Sequence, residues 1–155
     1  MDCYVCPSVA GTRRISPGAT IHDGQYWMVE HAYPTTHPGW LVIVLKRHAE
    51  ALHELSAAEL AELGALQART VRALAAVLHS QKEYIACYSE GEHFHHLHVH
   101  VVARPADLPP QQRGPRSFSL LAVTPAAALA PDRVRALCDT LGAWFRADPA
   151  AQLPA

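Results

Sequence analysis

Apolar positions along the chain switch between a two-residue and a 3.6-residue period, in the order strand-rich, helical, strand-rich, helical. Residues 19–31 predict a strand pair, Ala19–His22 and Gln25–His31, with Asp23-Gly24 as the hairpin turn. Pro34, Pro38 and Gly39 mark residues 32–39 as a loop. The β-branched run Trp40–Leu45 reads as a central strand, with Lys46, Arg47 and His48 at its end. Ser56 and Glu59 stand at capping-box spacing. Behind them Leu60, Leu63, Leu66, Val71, Leu74, Val77 and Leu78 form a stripe about 140° wide, so a core-facing helix begins here. Gly64 weakens it by about 1 kcal/mol relative to Ala without breaking it. Residues 83–88 and 94–103 alternate as two more strands, joined by a tight turn at Ser89-Glu90-Gly91. A proline-rich loop, Pro105–Pro115, precedes a last expected strand, Phe118–Val123. Pro131 opens a second amphipathic helix, about 131–147, that buries Val134, Leu137, Cys138, Leu141, Trp144 and Phe145. Short hairpin connections imply antiparallel pairing. The expected class is therefore α+β: an antiparallel sheet of about five strands with two main helices, in a single domain over residues 1–155.

At 155 residues, 50% hydrophobic and 17% charged, the chain is of one-domain size and can bury a core. A net charge of −1 excludes the basic footprint of a nucleic-acid binder. The longest apolar run, Trp40–Leu45, is far short of the roughly 18 residues of a membrane span. The stretch Met1–Cys6 lacks the basic and apolar regions of a signal peptide. The expectation is a cytoplasmic protein with neither nucleic acid nor membrane among its partners. Eleven histidines, against three Phe, three Trp and five Tyr, are too many for packing alone.

Cys3 and Cys6 form a CxxC pair at the start of the chain. Such a pair is half of a zinc site, a redox motif or two ordinary thiols. The turn-like context of Pro7 and Gly11 favours metal over the strand–helix junction of a redox motif. It supplies two of four tetrahedral ligands, leaving two for histidines. Cys87 and Cys138 lie within regular elements and read as small hydrophobes. The remaining chemistry concentrates in residues 91–102. On a strand His96, His98 and His100 share one face, about 7 Å apart from one to the next, while Leu97, Val99 and Val101 take the other. Three imidazoles in a row suit sites along a polyanion better than one three-histidine metal centre.

His96-Leu97-His98-Val99-His100-Val101-Val102 resembles the histidine triad (HIT) signature, His-φ-His-φ-His-φ-φ with φ apolar. Gly91 lies five residues before the motif and Arg104 two after it. Pro38–His48 is similar to the family's Gly-His-strand-Pro-Lys-x-His element, and the likeness covers roughly residues 1–105. The resemblance implies that His98 attacks the α-phosphorus of a nucleotide to form a covalent nucleotidyl-imidazole, and that His100 binds and stabilises a phosphoryl oxygen. Neutral imidazole attacks without prior deprotonation, so no catalytic metal or other cofactor is required. Gly91 belongs to the implied substrate-binding set. Some bacterial members hold a structural zinc through an N-terminal CxxC and two histidines, which here are Cys3, Cys6, His48 and His96. Members are usually homodimers whose sheets join, so a homodimer is expected.

The chain departs from the family pattern in three respects. Ala32 stands where an acidic residue usually grips the ribose. His93 stands where Ser or Thr often assists at the scissile bridge, making it a candidate acid and third catalytic residue. Leu45 and Ala103 replace prolines. His31 is ambiguous, whereas His22, His37, His53 and His79 read as solvated and His95 faces away from the triad. Lys46 and Arg47 read as surface charges, and Arg104, Arg113 or Arg116 as groups able to approach phosphates. The leading function is a nucleotide hydrolase or nucleotidyl transferase acting on dinucleoside polyphosphates or nucleoside phosphoramidates. The alternatives are a nucleotide-binding regulator without turnover, and a metal-dependent hydrolase that uses the triad as ligands.

Overall fold

The structure, a computed structural model, describes residues 3–121 and 123–147. The ends of the expected 1–155 domain and position 122 lie outside the described residues. A short helix α1 (Val5–Val9) leads into β1 (His22–Asp23), β2 (Trp27–His31) and β3 (Trp40–Leu45). Helix α2 (Ala57–Leu78) crosses to β4 (Lys82–Ala86), and β5 (His98–Arg104) inserts between β3 and β4. Helix α3 (Pro131–Ala147) follows a run of short 3-10 turns. The sheet order is β1-β2-β3-β5-β4 and every pair is antiparallel, as expected of a single α+β domain. No helix among the described residues is long and apolar enough to cross a membrane.

Strand alternation sorts the sheet into two chemically different faces. Trp27, Val29, Leu41, Ile43, Leu45, Val99, Val101 and Ala103 bury one face against Leu63, Leu66 and Leu74 of α2 and Val134, Leu141 and Phe145 of α3. The other face carries cross-strand rows set by the register, Met28–Val44–His98 and Glu30–Val42–His100. Gly39 lets the loop before β3 close on β5: its carbonyl accepts from Ala103 N at 2.8 Å, and a Cβ there would sit 2.6 Å from Ala103 Cβ. Arg69, buried on α2, donates to Phe145 O at 2.8 Å and stacks 4.8 Å above that ring, fastening the end of α3.

The capping box forms as expected. Ser56 Oγ accepts from Glu59 N at 3.2 Å, and Glu59 accepts from Ser56 N at 2.7 Å. The buried stripe is rotated from the expected one, however. Leu60 is 47% exposed, while Glu59, Leu63, Leu66, Thr70, Ala73 and Leu74 face inward. Trp27 Nε1–H donates to Glu59 O at 2.8 Å and turns that side of α2 toward the sheet. Arg47 is likewise more than a surface charge, since it forks onto Glu59 at 2.6 and 3.0 Å. Lys46 pairs with Asp23 at 2.6 Å across the first turn.

Two strand expectations are corrected. The described residues of Phe118–Val123 form no strand: Gly114–Leu120 make a 3-10 run. Leu120 O is taken by Thr36 N at 3.0 Å and Thr35 Oγ1 at 2.8 Å, so it is not free for a ladder. The histidine strand begins at His98 instead of residue 94. Phe94 N turns back to Gly91 O at 2.8 Å, and Leu97 N bonds Ala49 O at 2.8 Å. His96 therefore precedes the regular strand, and the triad is not a uniform row.

Ser56→Ala should cost about 1 kcal/mol of stability in a urea titration. The Arg47 hydrogen bond, aided by Ser56 N–H, pulls the Glu59 carboxyl from 4.5 to about 2. The unfolded chain takes up this proton first as pH falls, so the contribution is complete above about pH 5 and vanishes toward pH 2. Glu59→Gln should flatten that part of the stability profile measured between those limits.

Candidate active site and metal centre

Two adjoining centres meet at the start of β5. In the first, Cys3, Cys6, His48 and His96 bring one donor atom each to within 4.8 Å of all the others. Cys6 Sγ lies 3.3 Å from His48 Nδ1 and 3.4 Å from His96 Nδ1, and Cys3 Sγ lies 3.8 Å from His96 Nδ1. A tetrahedral zinc with bonds of about 2.3 Å to sulfur and 2.0–2.1 Å to nitrogen separates S and N donors by about 3.6 Å, so the spacings fit. The tautomers fit as well. His96 Nε2–H donates to Leu45 O at 2.6 Å, and His48 Nε2 faces Glu50 Oε1 at 3.2 Å. Both Nδ1 lone pairs are thereby free to face the thiols, the outer bonding that orients metal-ligating histidines. Burial holds His96 below the ordinary imidazole range, which favours the neutral ligand form. Burial and the neighbouring Cys3 raise the Cys6 thiol above its ordinary value.

The second centre is a pair, His98 and His100, on the open face of the sheet. Their ring centroids are 4.8 Å apart and the planes meet at 79°, closer than ideal alternation suggests because the rings lean together. His98 Nδ1–H donates to His96 O at 2.7 Å. A carbonyl only accepts, so the neutral ring keeps its lone pair on Nε2. His100 is set the opposite way. Trp40 Nε1–H donates to His100 Nδ1 at 3.0 Å, and indole only donates, so the His100 proton sits on Nε2. Burial lowers the pKa of both; for His100, burial and the neighbouring His98 bring it to about 3. One ring offers a nucleophilic lone pair and its neighbour a neutral N–H donor. Ser89, in left-handed backbone at φ 51, accepts from His98 N at 3.2 Å and fixes the start of the strand.

Both rings face a cavity of about 460 Å³, floored by Met28, Val42 and Val44 and closed by α1 residues and Phe94. Gly91 lines it, and its backbone bridges Phe94. Phe118 packs edge-on against both Trp40 and His100, with centroids 5.1 and 5.0 Å away. His93 is not among the lining residues. It stacks on Tyr4 at 4.5 Å, and its carbonyl accepts from Tyr4 N at 3.0 Å.

The expected arginines lie elsewhere, with Arg113 bonded to Leu108 O at 2.8 Å and Arg116 to Pro110 O at 3.0 Å. Arg104 bonds Pro105 O at 3.3 Å, and no Lys or Arg is among the described residues lining the cavity. His37 is buried rather than solvated, bonding Ala103 O at 2.6 Å. His31 also braces the loop, with ring nitrogens 2.7 and 2.9 Å from Ala32 O and Pro38 O. His22 stacks on Phe145 at 5.2 Å, while His53, His79 and His95 are exposed. Trp40, Ser89 and Phe118 are the site neighbours that strand periodicity missed. Trp40 shares the parity of Val42 and Val44, but only the β3–β5 register reveals His100 beside it.

An antiparallel sheet presenting two oppositely polarised histidines to a deep cavity defines the class of protein. The family model for the HIT domain matches residues 13–107, and the chain belongs to the HIT family. No curated protein matches it in sequence. Among solved structures, a zinc-bound histidine triad family protein from Mycobacterium smegmatis is 22% identical with a TM-score of 0.65, over 96% of this chain and 99% of that one. A hypothetical histidine triad nucleotide-binding protein from Sulfolobus tokodaii is 16% identical with a TM-score of 0.70, over 93% and 92%. The diadenosine triphosphate hydrolase of Plasmodium falciparum, solved with cyclomarin A, is 11% identical with a TM-score of 0.63, over 82% and 76%. These likenesses are of fold.

In long-range proton–nitrogen NMR spectra, His100 is expected as the Nε2–H tautomer and still neutral at about pH 5, given its pKa of about 3. Trp40→Phe should release Nδ1 and mix the two tautomers. A His100 that is already charged at that pH would contradict this account of the site.

Proposed function

We propose that the chain is a nucleotide hydrolase or nucleotidyl transferase that cleaves at an α-phosphate, on dinucleoside polyphosphates or nucleoside phosphoramidates. The observation that carries this is the opposed tautomers of His98 and His100, set by His96 O and Trp40 Nε1. His98 Nε2 attacks the α-phosphorus, and the bond to the leaving group breaks with its electron pair; a phosphate departs as its oxyanion, and an amine departs with a proton taken up from water. The ring becomes a nucleotidyl-imidazolium whose Nδ1–H remains on His96 O. His100 Nε2–H donates to a non-bridging oxygen as charge builds there. Water, or another acceptor in a transfer, then attacks phosphorus and releases neutral His98. Gly91 belongs to the substrate-binding wall. His93 fits an anchor for the N-terminal segment better than an acid, since it stands against Tyr4.

Cys3, Cys6, His48 and His96 would hold a zinc ion, as in the N-terminal CxxC type of the family. Bound there, zinc supplies a structural crosslink between the N-terminal segment and the sheet. A closed four-ligand set suits that role better than a catalytic metal with an open position. A reducing cytoplasm would keep both thiols available. The outer edge of β4, with Ile85 47% exposed, is the edge through which two copies would join as a homodimer.

Rapid quench with α-labelled dinucleoside polyphosphate should trap label on His98, and His98→Ala should lower turnover about a thousandfold or more. Undiminished turnover in that variant would sink the mechanism. Nucleotide binding without product in the wild type would favour the regulator instead. Elemental analysis should find one zinc per chain, lost in Cys6→Ser with a lower Tm. Turnover that tracks metal content while the fold persists would favour the metal-dependent hydrolase.

A further inference from the structure

Three rings meet at one corner of the cavity, and only two of them belong to the sheet. Trp40 and His100 stand on β3 and β5, with centroids 5.8 Å apart and planes at 88°. Phe118 is the third, 5.1 Å from Trp40 at 85° and 5.0 Å from His100 at 82°. Each ring is therefore close to perpendicular to the other two. Phe118 comes from the 3-10 run Gly114–Leu120, beyond the residues 13–107 that carry the family's domain.

That run is held from several sides. Thr35 Oγ1 and Thr36 N bond Leu120 O, and Leu121 N closes on Phe118 O at 3.1 Å. Leu108 and Leu120 are buried with Ala32, Trp40 and Val102 in a small second core, and Phe118 packs against it. Tyr88 backs the Phe118 ring edge-on at 5.4 Å.

The bond inside this corner has a strict geometry. Trp40 Nε1–H donates to His100 Nδ1 at 3.0 Å, which leaves the His100 proton on Nε2. Such a bond weakens steeply once it bends out of line. Water competes for both groups, because it can accept from the indole and bond either way with the imidazole. Trp40 is fully buried and His100 is 6% exposed. Phe118 touches both rings and lines the cavity, which makes it apolar cover for the bonded pair.

We infer that Phe118 is a positioning residue for His100: packed against both rings, it keeps the indole–imidazole bond in line and free of water. His100 then presents Nε2–H, and not a lone pair, to the cavity. The segment 108–121 thus completes a site that the triad motif alone leaves unfinished. The effect on turnover rests on the nucleotide reading above, in which that N–H meets a phosphoryl oxygen. The effect on the His100 proton does not.

NMR and steady-state kinetics on the full chain test this, with Phe118→Ala and Phe118→Leu. In wild type the Phe118 ring protons should show through-space contacts to the His100 ring. The Trp40 indole proton should exchange with water at least about tenfold more slowly than a free indole. Absence of either overturns the inference, whether or not a variant folds. Phe118→Ala should speed that exchange about tenfold and place part of the His100 population in the Nδ1–H form. On a dinucleoside polyphosphate or a nucleoside phosphoramidate, its kcat should fall about tenfold or more while KM stays within about threefold. Phe118→Leu, which restores apolar bulk, should recover most of both. A lower Tm with an unmoved tautomer marks a merely structural role and overturns the inference. So does a loss confined to KM, which marks a substrate contact. Tautomer mixing with undiminished kcat upholds the placement of the proton and overturns the role of His100 in the nucleotide mechanism. If wild type turns over neither substrate, the nucleotide reading falls and the NMR results alone decide the positioning.

Discussion

Much of the site hangs on one buried residue, His96, whose three polar contacts point in three directions. Its Nε2–H is committed to Leu45 O at the end of the central strand. That bond frees Nδ1 to face Cys3 and Cys6. Its carbonyl, left outside the ladder because the strand begins two residues later, accepts Nδ1–H of His98. The orientation of the His98 ring and the geometry of the Cys3, Cys6, His48 and His96 cluster are thus two consequences of one backbone position. Continuing the ladder through His96 would engage that carbonyl in pairing and leave the His98 tautomer unspecified.

The second constraint is strand parity. Because side chains alternate, the residues that bury β5 under α2 force His98 and His100 onto the cavity face. The register with β3 then places Trp40 where its indole reaches His100. Trp40 has no exposed surface and also packs on Phe118, so the group that sets the tautomer is itself immobilised. The opposed polarity of the pair comes from packed neighbours, and no carboxylate among the described residues shifts either ring.

The sequence made the sheet, both long helices and the clustering of Cys3, Cys6, His48 and His96 legible, through period, capping and the resemblance of the 96–102 motif. Contacts between elements distant in the chain stayed hidden. The stripe of α2 was misplaced because the Trp27–Glu59 bond, not hydropathy, sets its rotation. Phe118–Val123 has strand composition, but its carbonyl at Leu120 is satisfied by a loop some eighty residues earlier. His37 resembled a solvated loop residue for the same reason: its partner, Ala103 O, lies on another strand. Glu30 reads as a charge on an ordinary strand until the register places it opposite Val42.

The charge distribution bears on where binding energy originates. No Lys or Arg is among the described residues lining the cavity, and burial keeps His98 and His100 neutral, so the walls offer a polyphosphate no cationic clamp. On the nucleotide reading, ground-state affinity would then come mainly from the nucleoside against the largely apolar walls. On that reading, charge–charge attraction would enter only when His98 becomes a nucleotidyl-imidazolium, beside the phosphoryl oxygens that His100 would contact. Interactions confined to that moment lower the barrier without tightening the bound ground state. On the nucleotidyl-transfer reading, the neutral tautomer pair is therefore better suited to catalysis than two charged histidines, which would hold the phosphate but leave no lone pair to attack it.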